Sequence, residues 1–379
     1  MWEAENRSRP LRAGLIGGGF IAGVHARAIR AAGGHVHAVA SSSPERARTA
    51  ATELGAGLAR SSVRELLADE SVDVVHVCSP HGTHAGYAHA ALEAGKHVVC
   101  EKPLAVAADE AARLTALAAE RGLVATVPFV YRYHPMVVEA RSRVAAGALG
   151  PLVGMRGAYL QEWRLAYSED GWWTDPEATG PSRAFGDIGS HLGDLLTFVG
   201  GQDVVRVSAA TRTVLPESPG GRPLRTEDIA ALTVETSGGA IGSLMVSQMT
   251  LGRKNHLTLE VFGLDGSLAF EQESPETLWY ADRSGLRPVQ RDAPALSPAA
   301  ARLSVLPGGH PMGYQDAFDA FVKDTYAAVR GADPEELPRF RDGLRAALLT
   351  EAVVASAATG TWADVRRTAD RPLEGVRHA

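Results

Sequence analysis

Cysteine is nearly absent: two occur in 379 residues, Cys78 and Cys100, each inside an apolar, strand-like run, Val74 to Cys78 and His97 to Cys100. Two lone thiols build neither a disulfide framework nor a zinc cage, and they read as small buried hydrophobes. No Lys/Arg-rich run stands out. The 38 basic against 44 acidic residues leave a formal net charge of -6, a field that does not gather phosphate polyanions, so no nucleic-acid partner is expected. No apolar stretch approaches the roughly 20 residues that span a bilayer. The opening segment MWEAENRSRP has no apolar signal core, so no membrane is expected and the cytoplasm is the expected compartment.

What remains is a chain of ordinary globular composition that is too long for one typical core, which implies two domains, expected at 1–127 and 128–379. The first third alternates short aliphatic runs with Ala-rich helical stretches, the signature of βαβ units feeding a parallel sheet. Leu11 to Ile16 reads as a strand, Ile21 to Ala32 as a helix, Val36 to Ala40 as a strand and Pro44 to Leu54 as a helix started by proline. Val72 to Cys78, Val98 to Cys100 and Val124 to Val130 continue the strand series, and a helix over Val106 to Arg121 stops at Gly122. Past Pro151 the period changes to two: Leu257, Leu259 and Val261 alternate with Thr258, Glu260 and Phe262, as in a half-buried strand. Val204 to Leu215, Ile229 to Thr236 and Ala240 to Met249 read likewise, with a hairpin turn at Ser237-Gly238-Gly239. Pro216 to Arg225 and Asp292 to Ala301 read as loops, and two helices, Met312 to Val329 and Arg339 to Thr359, close the chain. The fold class is therefore α/β: an N-terminal Rossmann dinucleotide-binding domain, then a C-terminal α+β domain with an open, mostly antiparallel sheet.

Gly17-Gly18-Gly19-Phe20-Ile21-Ala22 joins the first strand to the first helix as G-x-G-x-x-A. Glycine belongs there because the backbone must turn tightly and lie against a pyrophosphate held at the helix N-terminus. Gly17, Gly19, Phe20 and Ile21 are thus candidate contacts for NAD or NADP. A carboxylate ending the second strand would bind the ribose hydroxyls of NAD; the sequence offers Ser41, Ser42 and Arg46 instead, a set that favours the extra phosphate of NADP. Glu45 remains a second candidate for the ribose.

The run Ala91-Leu92-Glu93-Ala94-Gly95-Lys96-His97-Val98-Val99-Cys100-Glu101-Lys102-Pro103 matches A-L-x-x-G-K-H-V-x-x-E-K-P. With the glycine loop and Ser79-Pro80 followed by His84, it resembles the glucose-fructose oxidoreductase / inositol dehydrogenase family over essentially the whole chain. The resemblance implies cofactor contacts from Ser79, Pro80, His81, His84, Glu101 and Lys102, although His81 stands where the family more often has Asn. It makes Lys102 a catalytic group, and the bond before Pro103 is cis in the family. A lysine partly desolvated beside a pyridinium is expected to lose proton affinity.

Asp187-Ile188-Gly189-Ser190-His191 resembles the family's D-x-G-x-H segment. Four apart on a helix, Asp187 and His191 share a face, so the carboxylate can orient one hydroxyl while a near-neutral imidazole moves a proton at its neighbour. His191 is the candidate general base, and no metal is expected, because no further ligands sit nearby at suitable spacing. Tyr131, Gln161 and Trp163 are candidate substrate contacts: indoles stack on the apolar faces of sugars while the polar groups bond hydroxyls. Arg132, Arg164 and Arg183 would suit an anion if the fold gathered them. His25, His35, His37, His89 and His256 have no such partners and read as structural or exposed.

Within the family, the stretch Tyr159 to His191, with Gly180-Pro181-Ser182-Arg183-Ala184-Phe185-Gly186 in place of G-G-G-x-L, looks most like levoglucosan dehydrogenase-type enzymes. That implies hydride transfer at the C3 hydroxyl of a neutral sugar, anhydrosugar, glycoside or cyclitol. Two alternatives stay open: glycoside cleavage through transient oxidation, and a sugar-sensing regulator. A broad sheet with one face to cover suggests a homodimer or homotetramer.

Overall fold

The structure is a computed structural model that describes residues 9–166 and 171–365. Residues 1–8, 167–170 within the Tyr159 to His191 stretch, and 366–379 lie outside the described residues.

The early βαβ rhythm folds as its residue types dictate. Strand β1 (Arg12–Ile16) runs into helix α1 (Phe20–Ala31), β2 (His35–Ala40) into α2 (Pro44–Leu54), then β3 (Leu58–Ala59) and β4 (Val74–Val77) into α3 (His84–Glu93). Next come β5 (His97–Cys100), α4 (Ala108–Glu120) and β6 (Ala125–Thr126). The six strands form one parallel sheet in the order β3-β2-β1-β4-β5-β6. All four residues of β4 are buried, as are Val98, Val99 and Cys100 of β5, because helices cover both faces of such a sheet. Both cysteines are free and buried. The strand order reverses between β1 and β4, which opens a crevice at their C-terminal ends.

One expectation fails here. The strand foreseen over Val124 to Val130 shrinks to Ala125–Thr126, and Val130–Tyr133 coils into a 3-10 turn, since Pro128 cannot donate to a ladder. Likewise, Asp292 to Ala301 is less a plain loop than two short helical turns, Ala293–Ala295 and Pro298–Ala301.

After α5 (Pro135–Ala145) the second sheet begins with β7 (Leu152–Leu160). Helix α6 (Ser190–Gly200) follows, then β8 (Val204–Arg212), β9 (Ile229–Thr236), β10 (Ile241–Ser247), β11 (His256–Gly263), β12 (Gly266–Glu271), β13 (Thr277–Asp282) and β14 (Gly285–Gln290). With β15 (Ala363–Asp364) the order is β14-β13-β12-β11-β7-β10-β9-β8-β15, antiparallel except for the pair β7 and β10. The foreseen hairpin forms: Gly239 N donates to Thr236 O at 2.9 Å. Leu257, Leu259 and Val261 of β11 are buried in the same core as Leu192 and Leu195 of α6, so α6 lies on one face of the sheet. The opposite face leaves Ile241, Met245 and Trp279 exposed.

Helices α7 (Tyr314–Val329) and α8 (Phe340–Thr359) return to the first sheet. Val127 N donates to Pro338 O at 3.1 Å, and Glu351 accepts from Ala108 N at 2.8 Å, capping α4. Arg132 clamps this return. It bonds Asp194 of α6 through Nε at 2.8 Å and Asp342 of α8 through Nη2 at 2.9 Å, with all three side chains buried. Removing one partner from such a cluster strands charges in a dry interior. Arg132→Ala is therefore expected to cost about 3–5 kcal/mol of stability, read by urea denaturation at neutral pH. A loss below about 1 kcal/mol, the scale of exposed pairs, would show that the cluster is not the joint described.

Candidate active site

The crevice at the strand ends is walled into one cavity of about 1180 Å³, running from the glycine loop to His191. At one end Gly17 adopts φ 113 and donates its N–H to Ala40 O at 2.9 Å. A Cβ there would lie 2.4 Å from the Cys78 carbonyl oxygen, so only glycine lets β1 turn against β4. A Cβ on Gly19, in contrast, meets nothing within 4 Å. Helix α1 has no side-chain N-cap, which leaves its leading N–H groups to an anion. Phe20 beside it is 84% exposed. These features fit a dinucleotide pyrophosphate. Further along, Ser43 caps α2 by accepting from Arg46 N, and Arg46 Nη1 donates to Ser42 Oγ at 3.3 Å.

The other end holds the ionisable groups. Residues Lys102 and Pro103 are joined by a cis bond, and Lys102 Nζ meets Asp187 Oδ1 at 2.5 Å and Asp187 O at 3.1 Å. Gln248 Nε2 donates to the other carboxylate oxygen at 2.8 Å. Asp187 sits in a π-helical turn, Phe185–Gly189, leading into α6. That turn is held by Glu227, which accepts from Ser182 Oγ at 2.7 Å and Phe185 N at 2.8 Å. It also needs Gly189, where a Cβ would lie 2.4 Å from the Phe185 ring. Wide turns of this kind recur at functional sites.

Burial acts to lower the Lys102 pKa, but the charges of Asp187 and Glu101 overcome it and leave the ammonium above its ordinary value. The expected loss of proton affinity is thereby corrected: the lysine has a carboxylate partner from 85 residues away. His191 departs from expectation in the opposite sense. Burial, then the nearby Lys102 charge, push its pKa well below the ordinary value, so the imidazole is neutral. Its Nδ1 is buried and has no hydrogen-bond partner. Its ring stands edge-on to Tyr131, with centroids 5.0 Å apart.

Next to these groups is a hydroxyl and amide cluster. Tyr159 Oη donates to Asn255 Oδ1 at 2.7 Å, Gln161 Nε2 donates to the same oxygen at 2.8 Å, and Asn255 Nδ2 donates to Tyr131 Oη at 3.0 Å. Trp163 Nε1 donates to Gln161 Oε1 at 2.8 Å.

Of the candidate cofactor and substrate contacts read from the sequence, all but Glu45 line this cavity; Glu45 pairs with Arg48 at the surface instead. His84 lines it as a brace: its ring nitrogens lie 2.7 and 2.8 Å from the carbonyl oxygens of Pro103 and Ser79. The ring of His81 packs 4.6 Å from Trp172, and burial lowers its pKa to about 3. The arginines do not gather. Arg132 is held by Asp194 and Asp342, and Arg183 by buried Asp228, which removes the anion site they would have formed. Three histidines expected to lack partners have them: His25 with His76 and Glu101, His37 with Asp69, and His256 with Glu271 and Glu273. The last trio is a group of potential metal ligands among the described residues, set outside the cavity lining.

The model of an oxidoreductase family with an NAD-binding Rossmann fold, GFO/IDH/MocA, matches residues 11–129, and the GFO/IDH/MocA C-terminal domain matches 137–269. The chain belongs to the GFO/IDH/MocA oxidoreductase family. A levoglucosan dehydrogenase from Pseudarthrobacter phenanthrenivorans is 31% identical over 387 residues, covering 94% of this chain and 98% of its own. An oxidoreductase domain protein from Kribbella flavida superposes with a TM-score of 0.88 at 35% identity, covering 95% of this chain and all (100%) of that one. A levoglucosan dehydrogenase in complex with NADH and levoglucosan gives a TM-score of 0.87 at 31% identity, covering 94% of this chain and 100% of its own.

As a member of GFO/IDH/MocA the protein is an oxidoreductase with an NAD-binding Rossmann fold, and among the described residues no helix is long and apolar enough to cross a membrane. Gln248, Asn255 and Tyr314 also shape the site and escaped the sequence reading. None lies in a motif; Gln248 and Asn255 follow or precede strands whose pairing with β7 carries them to the cavity. Because Gly17 allows no Cβ, Gly17→Ala is expected to weaken NAD binding at least about a hundredfold, through loss of the close backbone approach. Calorimetric titration measures this, and affinity within a few-fold of the parent would count against the assigned pyrophosphate seat.

Proposed function

We propose that the protein is an NAD(P)-dependent dehydrogenase acting on a secondary alcohol, with C3 the expected carbon, of a neutral sugar, anhydrosugar, glycoside or cyclitol. The observation that carries this reading is that Lys102, paired with Asp187, and the neutral His191 line the same cavity that begins at the glycine loop. The NADH and levoglucosan complex of a similar enzyme supports the substrate class. So does the fact that Arg132 and Arg183 are already neutralised, which favours an uncharged substrate.

Bound there, the nicotinamide supplies the acceptor for the hydride. Lys102 donates to the hydroxyl oxygen and stabilises the negative charge that builds on it as the C–H bond breaks. Neutral His191 takes the hydroxyl proton; its low proton affinity lets it release that proton when the product leaves. Asp187 has both oxygens engaged by Lys102 and Gln248, so it aims the lysine rather than the substrate. The cluster of Tyr131, Gln161 and Asn255 offers further donors and acceptors for ring hydroxyls, and Trp163 and Trp172 offer apolar faces.

At the adenosine end, no carboxylate terminates β2, and Arg46 with Ser41 and Ser42 offers donors to a phosphate. This supports use of NADP as well as NAD, with NADP favoured. The exposed sheet face carrying Ile241, Met245 and Trp279 supports a homodimer or homotetramer.

Lys102→Met and His191→Ala should each reduce turnover at least about a hundredfold with cofactor affinity retained, as followed by reduced-cofactor absorbance over a panel of anhydrosugars, inositols and glycosides. Normal turnover in either variant would sink the assignment. The active imidazole is the neutral form, and its pKa is depressed, so kcat/KM should stay level as pH falls through the ordinary histidine value of about 6.5; a falling limb centred there would contradict it. Arg46→Ala should raise the Kd for NADP about tenfold while leaving that for NAD unchanged. Equal effects on both cofactors would remove the phosphate role.

A further inference from the structure

One buried polar chain takes no part in the steps above. His25 of α1, His76 of β4 and Tyr326 of α7 are each 0% exposed. Tyr326 Oη lies 3.0 Å from His76 Nε2, His76 Nδ1 lies 2.8 Å from His25 Nδ1, and His25 Nε2 lies 3.0 Å from Glu101 Oε1. The second Glu101 oxygen accepts the Lys102 amide at 3.1 Å, and Glu101 lines the cavity beside Lys102.

Counting protons decides how this chain runs. A neutral imidazole has one N–H and one lone pair, so the two facing Nδ1 atoms share one proton. In the first arrangement Tyr326 donates to His76, His76 Nδ1 donates to His25, and His25 Nε2 donates to Glu101. Every link then has one donor and one acceptor, and Glu101, accepting only, is ionised. In the reversed arrangement Glu101 must be protonated. Tyr326 would then receive from His76 and have to send its own proton elsewhere, yet among the described residues it has no second acceptor. A wholly buried orphan hydroxyl is costly, and the first arrangement prevails.

The charges around Glu101 leave it unbalanced. Facing it are His25, His84, Lys102, Cys78, Cys100 and Tyr314. Burial keeps the two thiols and the Tyr314 phenol protonated, and burial also holds down the His84 pKa. The Lys102 charge is matched by Asp187. We propose that the Tyr326–His76–His25 chain is a positioning device that holds Glu101 as an ionised carboxylate at the reactive end of the cavity. That charge favours the cationic, oxidised nicotinamide over the neutral, reduced one. The inference rests on the nicotinamide lying at the Lys102 end, and it needs no substrate or turnover.

Titration of the full-length protein with NAD+ and with NADH tests it. Glu101→Gln is expected to raise the Kd for NAD+ about tenfold, the effect of one charge in a partly screened site, while the Kd for NADH changes less than about twofold. His25→Phe should give the same selective loss. A merely structural defect weakens both forms alike, so equal losses, or none, overturn the proposal. Histidine nitrogen resonances of the unaltered protein with NAD+ bound give an independent reading: protonation of His25 on Nε2 and His76 on Nδ1 supports the chain direction, and the opposite tautomers refute it.

Discussion

The pairing of Lys102 with Asp187 is the constraint from which the rest of the site follows. The ammonium leaves the end of a parallel strand, and the carboxylate leaves a π-turn ahead of α6, so one contact joins the two sheets through their functional ends. Taking both charges out of water is costly unless their remaining hydrogen-bonding capacity is used. Here it is: Gln248 donates to the free carboxylate oxygen, and the Asp187 carbonyl accepts a second bond from the lysine. The supporting cast exists to hold that geometry. Glu227 fixes the turn, Gly189 lets it widen, and His84 bridges the carbonyls of Ser79 and Pro103 beneath the lysine.

With the lysine fixed as a cation, the protonation states of its neighbours are ordered. His191 is kept neutral by burial first and by Lys102 second. The phenols of Tyr131 and Tyr159 are pushed up by burial, so they serve as hydrogen-bonding groups and not as bases. His191 is thus left as a neutral imidazole lining the cavity beside Lys102.

Much of this was legible because the motifs are local. A glycine loop joining a strand to a helix, and E-K-P at a strand end, specify where backbone and charge must lie within a few residues, and the fold then has little freedom to move them. The misreadings came from long-range pairing. Lys102 reads as a lysine about to lose its proton because its carboxylate partner, Asp187, lies 85 residues away in the chain. His25 looked partnerless because its neighbours lie 51 and 76 residues away. Gln248 and Asn255 carry no motif, and strand register alone brings them to the cavity. Val124 to Val130 failed as a strand for a local reason, Pro128, which apolar content had masked.

The same long-range logic explains why the C-terminal helices come back to the first sheet. Helix α7 brings Tyr326 to His76 and sets the Phe318 ring 4.7 Å from His25, while α8 closes the Arg132 cluster with Asp342. A dinucleotide-binding sheet alone would leave His76 Nε2 unpaired in an apolar interior. Supplying a hydroxyl donor from α7 satisfies that nitrogen and fixes the direction of every proton as far as Glu101. The hydrogen bonding of Glu101 is thus tied to a hydroxyl on α7, which packs on the same face of the sheet as α1, and the packing of α7 becomes part of the site.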